Sequence, residues 1–147
     1  MTTERPAIGC RAGYRHFMAL QTRWLDNDLY GHINNVVYYA YFDTLLTRYL
    51  IDAGRLAIRG GTVIGVAVET ACRFHKSFAF PETIDGGLRI GHLGTSSVRY
   101  EIGLFGQGED QARAEGHFVH VFVERATQRP TPIPPEIRAA LEKILAR

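Results

Sequence analysis

After Asn35, the segment running to Ala53 is apolar or tyrosine except at Asp43, Thr44, Thr47, Arg48 and Asp52. At 3.6 residues per turn those five positions share one narrow stripe, so the spacing predicts a helix over Asn35–Ala53 that is apolar around most of its circumference. Such a helix has to be wrapped on several sides by other structure. Asn34 supplies a good N-cap, and Gly54 a good left-handed stop.

The rest of the chain offers the wrapping. A strand-like run extends from Tyr14 to Leu25 and is broken by the turn-forming Asp26-Asn27-Asp28 and by Gly31. After the helix the hydrophobic period changes to two. In the strand expected from Val63 to His75, Ile64, Val66, Val68, Thr70, Cys72 and Phe74 share one face. The opposite face carries Gly65, Ala67 and Ala71, small enough for the helix to approach closely. Three more strands are expected at Thr83–Leu93, Ser96–Phe105 and Ala112–Glu124, separated by glycine-containing hairpin signals, and the four together read as an antiparallel meander. The proline-rich RATQRPTPIPP leads into a closing amphipathic helix, PEIRAALEKILAR, with Ile137, Leu141, Ile144 and Leu145 on one side. One strand, a long helix, four strands and a last helix make an α+β domain in which a curved antiparallel sheet wraps the helix. Residues 14–147 are expected to form that single domain, and residues 1–13 a polar leader without fixed structure.

Composition narrows the partners. The 147 residues are 46% hydrophobic, enough for one core without staples. The net charge of +2 comes without any run of like charge, which argues against nucleic acid. Cys10 and Cys72 form neither a close-spaced metal pair nor a disulfide framework, so a reducing, cytoplasmic location is expected. The N-terminus lacks the apolar core of a signal peptide, and no apolar stretch reaches the roughly 18 residues of a membrane span.

The chemistry-bearing residues gather just before the helix. Arg23, Asp26, Asp28, Gly31, His32, Asn34, Asn35 and Tyr38 match the pattern R-x-x-D-x-D-x-x-G-H-x-N-N-x-x-Y. With the order of elements and the RPTPIPPEIR exit, the chain resembles the hot-dog fold acyl-CoA thioesterases, specifically the 4-hydroxybenzoyl-CoA thioesterase-like group, over roughly residues 14 to 145. The resemblance implies a hot-dog fold: a five-stranded antiparallel sheet curved around the long helix. It also implies a thioester hydrolase; no cofactor and no metal are expected.

The residues support that chemistry independently. Thioester hydrolysis needs a group that activates water or attacks the carbonyl, and donors aimed at the oxygen that becomes negative. The first amides of a helix have no intrahelical acceptor, and the helix dipole strengthens their pull on an anion. Asp28 lies six residues before such a start, on the same loop. In the resembled enzymes the carboxylate matching Asp28 is catalytic, and the backbone amide matching Asn35 polarises the substrate carbonyl. His32 is a further catalytic candidate, though better read as a loop anchor, because imidazole titrates in the useful range. Gly31, Asn34 and Tyr38 are candidates for substrate contact, Tyr38 also reading as core packing. Asp26 reads as structural, tied to Arg23 or to loop amides. Glu69 and Asp43 are rival acids whose commoner role is an exposed or paired carboxylate.

Other chemistries lack their residues. A calcium loop starting at Asp26 would need an oxygen ligand in place of Tyr30 and a glutamate in place of Val37. No G-x-S-x-G elbow and no glycine-rich phosphate loop occurs. For coenzyme A the hairpin GHLGTSSVR departs from the resembled enzyme, which carries consecutive basic residues there. Here Gly94, Thr95, Ser96 and Ser97 are the candidate phosphate contacts, helped by Arg73, Lys76 or Arg89, with an acyl-carrier-protein thioester as the alternative substrate and a non-catalytic acyl-binding or assembly module of the same fold as the alternative function. A single sheet around one helix leaves an open edge, so a homodimer or homotetramer is expected, with acyl pockets between subunits as the resemblance implies.

Overall fold

The structure, a computed structural model, describes residues 7–57 and 59–146. Its elements run β1 (His16–Gln21), α1 (Asn35–Gly54), β2 (Val63–Phe74), β3 (Thr83–Leu93), β4 (Ser97–Gly106), β5 (Ala114–Glu124) and α2 (Pro135–Glu142). The five strands form one antiparallel sheet in the order β1-β3-β4-β5-β2. The expected architecture is present, with α1 held by the curved sheet.

The helix behaves as its pattern requires. Tyr38, Tyr41, Phe42, Leu45, Leu46, Tyr49 and Leu50 are buried, whereas Asp43, Thr44, Arg48 and Asp52 are exposed. The core side of the sheet meets it with Ile84, Leu88, Ile90, Val98, Tyr100, Ile102 and Leu104, all sealed from solvent. Asn34 caps the helix by accepting the Val36 N–H at 3.2 Å. At the other end the expected stop differs by one residue. Arg55, not Gly54, takes the left-handed conformation (φ 54°), and Gly54 is the last helical residue. Gly54 is needed there for space, since a Cβ would lie 3.3 Å from the backbone of Ile137 on α2.

Three expectations about the strands are corrected. Only β3, β4 and β5 form a meander; β2 crosses to the far edge to pair with β5, while β1 occupies the edge beside β3. The face expected for β2 is broken by a register shift between Ala67 and Glu69. An extra residue reverses the alternation, so Gly65 and Ala67 before the shift and Thr70, Cys72 and Phe74 after it turn to the same side as Phe118 and Phe122. Third, the small residues of β2 do not all make room for the helix, since Gly65 lies against the ring of His120; Gly116 on β5 adds room, where a Cβ would run into the Ala71 carbonyl and the ring of Phe42.

The first strand is also shorter than expected, because Trp24–Asp26 winds into a 3-10 turn instead of continuing it. The closing helix ends at Glu142, and the chain then runs beside β3, where Ile144 accepts the Ile90 N–H at 2.9 Å and Ile90 accepts the Ala146 N–H at 2.8 Å. Ile137, Leu141 and Ile144 are buried as expected, while Leu145 remains 40% exposed. The leader differs within its described part. Ile8 and Arg11 pack against Phe17 and Phe105 on the outer face of the sheet, the Gly9 N–H donates to Glu115 at 2.8 Å, and Arg11 pairs with Asp85 at 3.1 Å. Residues 1–6 lie outside the described part.

Candidate active site

The loop between β1 and α1 is a small hairpin built on its own backbone. Asp26 accepts the Asn34 N–H at 2.8 Å, Asn27 bridges Ile33, the Asp28 N–H donates to His32 at 2.8 Å, and the Gly31 N–H donates to Asp28 at 3.1 Å. Gly31 closes the turn at φ 79°, a conformation that costs glycine little. Two bonds hold the loop to the segment before β3: Ile33 N–H to Phe78 at 2.8 Å, and Phe80 N–H to the Asn27 side chain at 3.1 Å.

The two aspartates of this loop have different surroundings. Asp26 is 1% exposed and accepts from the Arg23 N–H, the Arg23 guanidinium and the Tyr41 hydroxyl at 2.7–3.1 Å. Burial alone would raise its pKa. The bonds from Tyr41 and Arg23 outweigh burial and hold the carboxyl below the usual carboxylate range. Asp26 is therefore the structural carboxylate expected. Asp28 is half-buried, and its Oδ1 accepts the Tyr30 N–H at 2.8 Å, leaving Oδ2 without a partner among the described residues.

At the adjoining start of α1 most amides are engaged. Asn34 N–H meets Asp26, Val36 N–H meets the Asn34 side chain, and Val37 N–H meets the Asn34 carbonyl at 2.9 Å. The Asn35 N–H meets no acceptor among the described residues. Among the described residues this carboxylate oxygen and this helix-terminal donor are thus both unpaired, although Asn35 does not line the depression that Asp28 lines.

Asp28, Gly31 and Asn34 line one open depression of about 820 Å³, together with Trp24, Leu25, Leu29 and Tyr30. Those four large apolar side chains are exposed, Leu29 completely. A separate groove of about 760 Å³ runs between β1 and α1; Arg23 and Tyr41 line it, but none of the expected site residues does.

The remaining expected residues are placed elsewhere. His32 is exposed, and its backbone carbonyl rather than its imidazole holds the loop, which corrects the imidazole-anchor reading. Tyr38 is 3% exposed, enclosed by Phe74 and Phe78 at ring separations of 4.8 and 6.3 Å, so in this chain it packs the core instead of lining an open pocket. Arg73 lies on the outer face of the sheet, 3.9 Å from Glu115, in a cleft of about 370 Å³ with Tyr14, Arg89 and Glu101. The hairpin of Gly94, Thr95, Ser96 and Ser97 does not line the Asp28 depression.

That hairpin is held mainly through its carbonyls. The carbonyls of Gly94 and Thr95 accept from Arg138, Thr95 also from Ile133 N–H at 3.0 Å, and Ser96 from Phe122 N–H at 2.7 Å. Its Thr95 and Ser96 N–H groups meet no acceptor among the described residues. Sequence reasoning did not find Tyr41 or Arg138. Tyr41 sits in an apolar helical pattern where an aromatic reads as core, and Arg138 lies some forty residues from the hairpin it supports. Glu69 pairs with His117 at 3.1 Å, and Asp43 is exposed on the helix stripe, so both rival acids have the ordinary role expected. Among the described residues no cluster of three or more His, Cys, Asp or Glu is placed to hold a metal ion.

The sequence profile of the thioesterase-like superfamily matches residues 22–141. The chain belongs to that superfamily. Among solved structures this thioesterase is similar to the PA5185 protein of Pseudomonas aeruginosa, with 51% identity, coverage of 95% of this chain and 98% of that one, and a TM-score of 0.94. It is similar to the PA2801 protein of the same organism at 32% identity, covering 86% of this chain and 97% of that one, with a TM-score of 0.78. The 1,4-dihydroxy-2-naphthoyl-CoA thioesterase Slr0204 of Synechocystis shares the fold at 14% identity, covering 85% and 93% of the two chains, with a TM-score of 0.77. No curated protein sequence matches the chain. The curved sheet, central helix and C-terminal helix are the hot-dog fold, and the chain is a thioester hydrolase.

Proposed function

We propose that this thioesterase hydrolyses an acyl-CoA thioester to a carboxylic acid and free CoA, with Asp28 as general base or nucleophile and the Asn35 N–H polarising the thioester carbonyl. The observation that supports the reading is that Asp28 Oδ2 and, seven residues on, the Asn35 N–H at the start of a twenty-residue helix are both without a partner among the described residues. As base, Asp28 takes a proton from water as the oxygen attacks the carbonyl carbon. Negative charge then collects on the carbonyl oxygen facing the Asn35 N–H, the C–S bond breaks, and the thiolate leaves to be protonated. As nucleophile, Asp28 itself displaces the thiolate to give a mixed anhydride that water then opens. A backbone donor of this kind is worth on the order of 3 kcal/mol of barrier.

The CoA phosphates are assigned to the hairpin at Gly94–Ser97. The Thr95 and Ser96 N–H groups, without an acceptor among the described residues, the hydroxyls of Thr95, Ser96 and Ser97, and the Gly94 and Thr95 carbonyls bonded by Arg138 support this assignment. The assembly is proposed to be a homodimer or homotetramer. Support comes from the twelve-residue edge of β2 and from the uncovered apolar side chains around Asp28, which a second copy would cover. A cytoplasmic, reducing location belongs to the same reading, and Cys10 and Cys72 are both free thiols.

The test is thiol release from a panel of acyl-CoA, acyl-pantetheine and acyl-carrier-protein thioesters, by the wild type and by Asp28→Asn. Cleavage of CoA esters by the wild type that is lost in the folded Asp28→Asn variant supports the reading; equal rates for both proteins overturn it. Preference for carrier-protein esters would replace CoA as the substrate. Single-turnover hydrolysis in ¹⁸O-labelled water separates the two roles, since label enters Asp28 only if it is the nucleophile.

A further inference from the structure

The base of the Asp28 loop is held by one buried carboxylate with more partners than its own fold requires. Asp26 receives the Arg23 N–H at 2.9 Å and the Arg23 guanidinium at 3.0 and 3.1 Å, which completes a local capping arrangement around the 3-10 turn. Its carbonyl receives the Asn34 N–H, so both ends of the loop meet at this residue. The last partner comes from outside the loop: the Tyr41 hydroxyl, from the second turn of α1, donates to Asp26 Oδ2 at 2.7 Å in a buried setting. Burial, with the negative charge of Asp26, pushes the Tyr41 phenol far up, so it remains a donor at every ordinary pH.

The hydroxyl is not needed to fill the core. The Tyr41 ring is 7% exposed and packs against Tyr38, 6.3 Å away, in a row where phenylalanine would serve equally, as Phe42 does next to it. What the oxygen adds is a bond from the helix to the loop. The same helix carries the Asn35 N–H, and the same loop carries Asp28 two residues after Asp26.

We propose that Tyr41 is a positioning residue for the thioesterase reaction: acting through Asp26, it locks the loop to the helix, so that the Asp28 carboxylate and the Asn35 N–H keep one separation. This rests on the reading of Asp28 and Asn35 given above. Reaction rate depends steeply on such a separation, because a displacement of about 1 Å between reacting groups costs on the order of 100-fold.

Tyr41→Phe removes that bond and leaves Arg23 on Asp26, so the carboxylate stays paired and the fold is expected to survive. The variant should lose about tenfold in kcat with KM changed less than about twofold, the pattern of a contact felt in the transition state. In an Asp28→Asn background the same change should have no effect on the residual rate, because the positioned group is gone. Independently of activity, hydrogen exchange at the Tyr30 and Gly31 amides, which donate to Asp28, should rise about tenfold while the amides of β4 stay as they were.

Unchanged kcat, an equal loss in the Asp28→Asn background, or unaltered exchange each overturns the assignment. A wild type that cleaves no thioester defeats the functional reading, and the exchange measurement still decides whether Tyr41 holds the loop. Should Tyr41→Phe fail to fold, 3-fluorotyrosine at position 41 alters the donor strength of the same bond within nearly the same shape, and kcat and the Tyr30 and Gly31 exchange must then change together, with β4 unmoved, for the assignment to stand.

Discussion

The loop at Asp26–Asn34 and the hairpin at Gly94–Ser97 are both short, polar and glycine-containing, yet only the loop carries a carboxylate with an oxygen left unpaired among the described residues. In the loop, Asp28 N–H, Gly31 N–H and Asn34 N–H find acceptors within the loop, the Leu29 and His32 N–H groups find none among the described residues, and a carboxylate oxygen, Asp28 Oδ2, is likewise without a partner among them. In the hairpin the carbonyls of Gly94, Thr95 and Ser96 are consumed, by Arg138, Ile133 and Phe122, and the Thr95 and Ser96 N–H groups find no acceptor among the described residues. Which half of each peptide is satisfied by the protein decides what the other half offers a ligand. A thioester of CoA needs both kinds of surface, one for its reactive carbonyl and one for its phosphates.

The sharpest way to break this comparison is to remove that carboxylate. Asp28→Asn is expected to lower kcat by about 10³-fold, on the order of 4 kcal/mol, without a change in thermal midpoint. A fall of less than about tenfold would place the chemistry elsewhere.

Acid should separate the two regions by what lies beneath them. Under the hairpin, His120 on β5 pairs with Val98, is 7% exposed, and bonds Tyr100 at 3.2 Å. Burial pushes its pKa down to about 4, against a weaker opposing pull from Asp43. Between pH 6.5 and 4 the unfolded chain therefore binds a proton that the folded one refuses, and stability falls as pH drops, by about 3 kcal/mol at the lower limit. Urea midpoints measured across that range should show the decline, and His120→Gln should remove most of it. Asp26, under the loop, has a lowered pKa, so its contribution is present above the ordinary carboxylate pKa and is lost only as pH falls below it. The hairpin side should loosen first on acidification; simultaneous loss of both by hydrogen exchange would refute the ordering.

The phosphate role is a smaller effect. Shortening acyl-CoA to acyl-pantetheine should raise KM about tenfold, roughly 1.4 kcal/mol, with kcat unchanged. Equal KM values would leave the hairpin without that function. Smallest is Gly31→Ala, which forces a side chain into φ 79° with no neighbour within 4 Å, and should cost about 1 kcal/mol of stability by chemical denaturation.

Much of this was legible in local pattern. Helix α1, its Asn34 cap, its polar stripe and the strand Thr83–Leu93 follow from spacing within a few residues, and so does the structural reading of Asp26 beside Arg23. The Asp28 loop was legible because its bonds close within a short stretch of chain. Tyr41 was harder, since an aromatic on an apolar helix face reads as core packing whether or not its hydroxyl holds a loop, as that of Tyr41 does.

The sequence by itself determined that a nearly all-round apolar helix must be wrapped, that strands would do the wrapping, and that a carboxylate would stand just ahead of the helix start. Only the tertiary structure decided that β2 would pair with β5 instead of β3, that its alternation would reverse at the Ala67–Glu69 shift, and that Gly116 would admit Phe42. The reason is one of range. Periodicity and capping act over neighbouring turns, whereas strand order, and with it the room beside each residue, is set by segments that meet across half the chain.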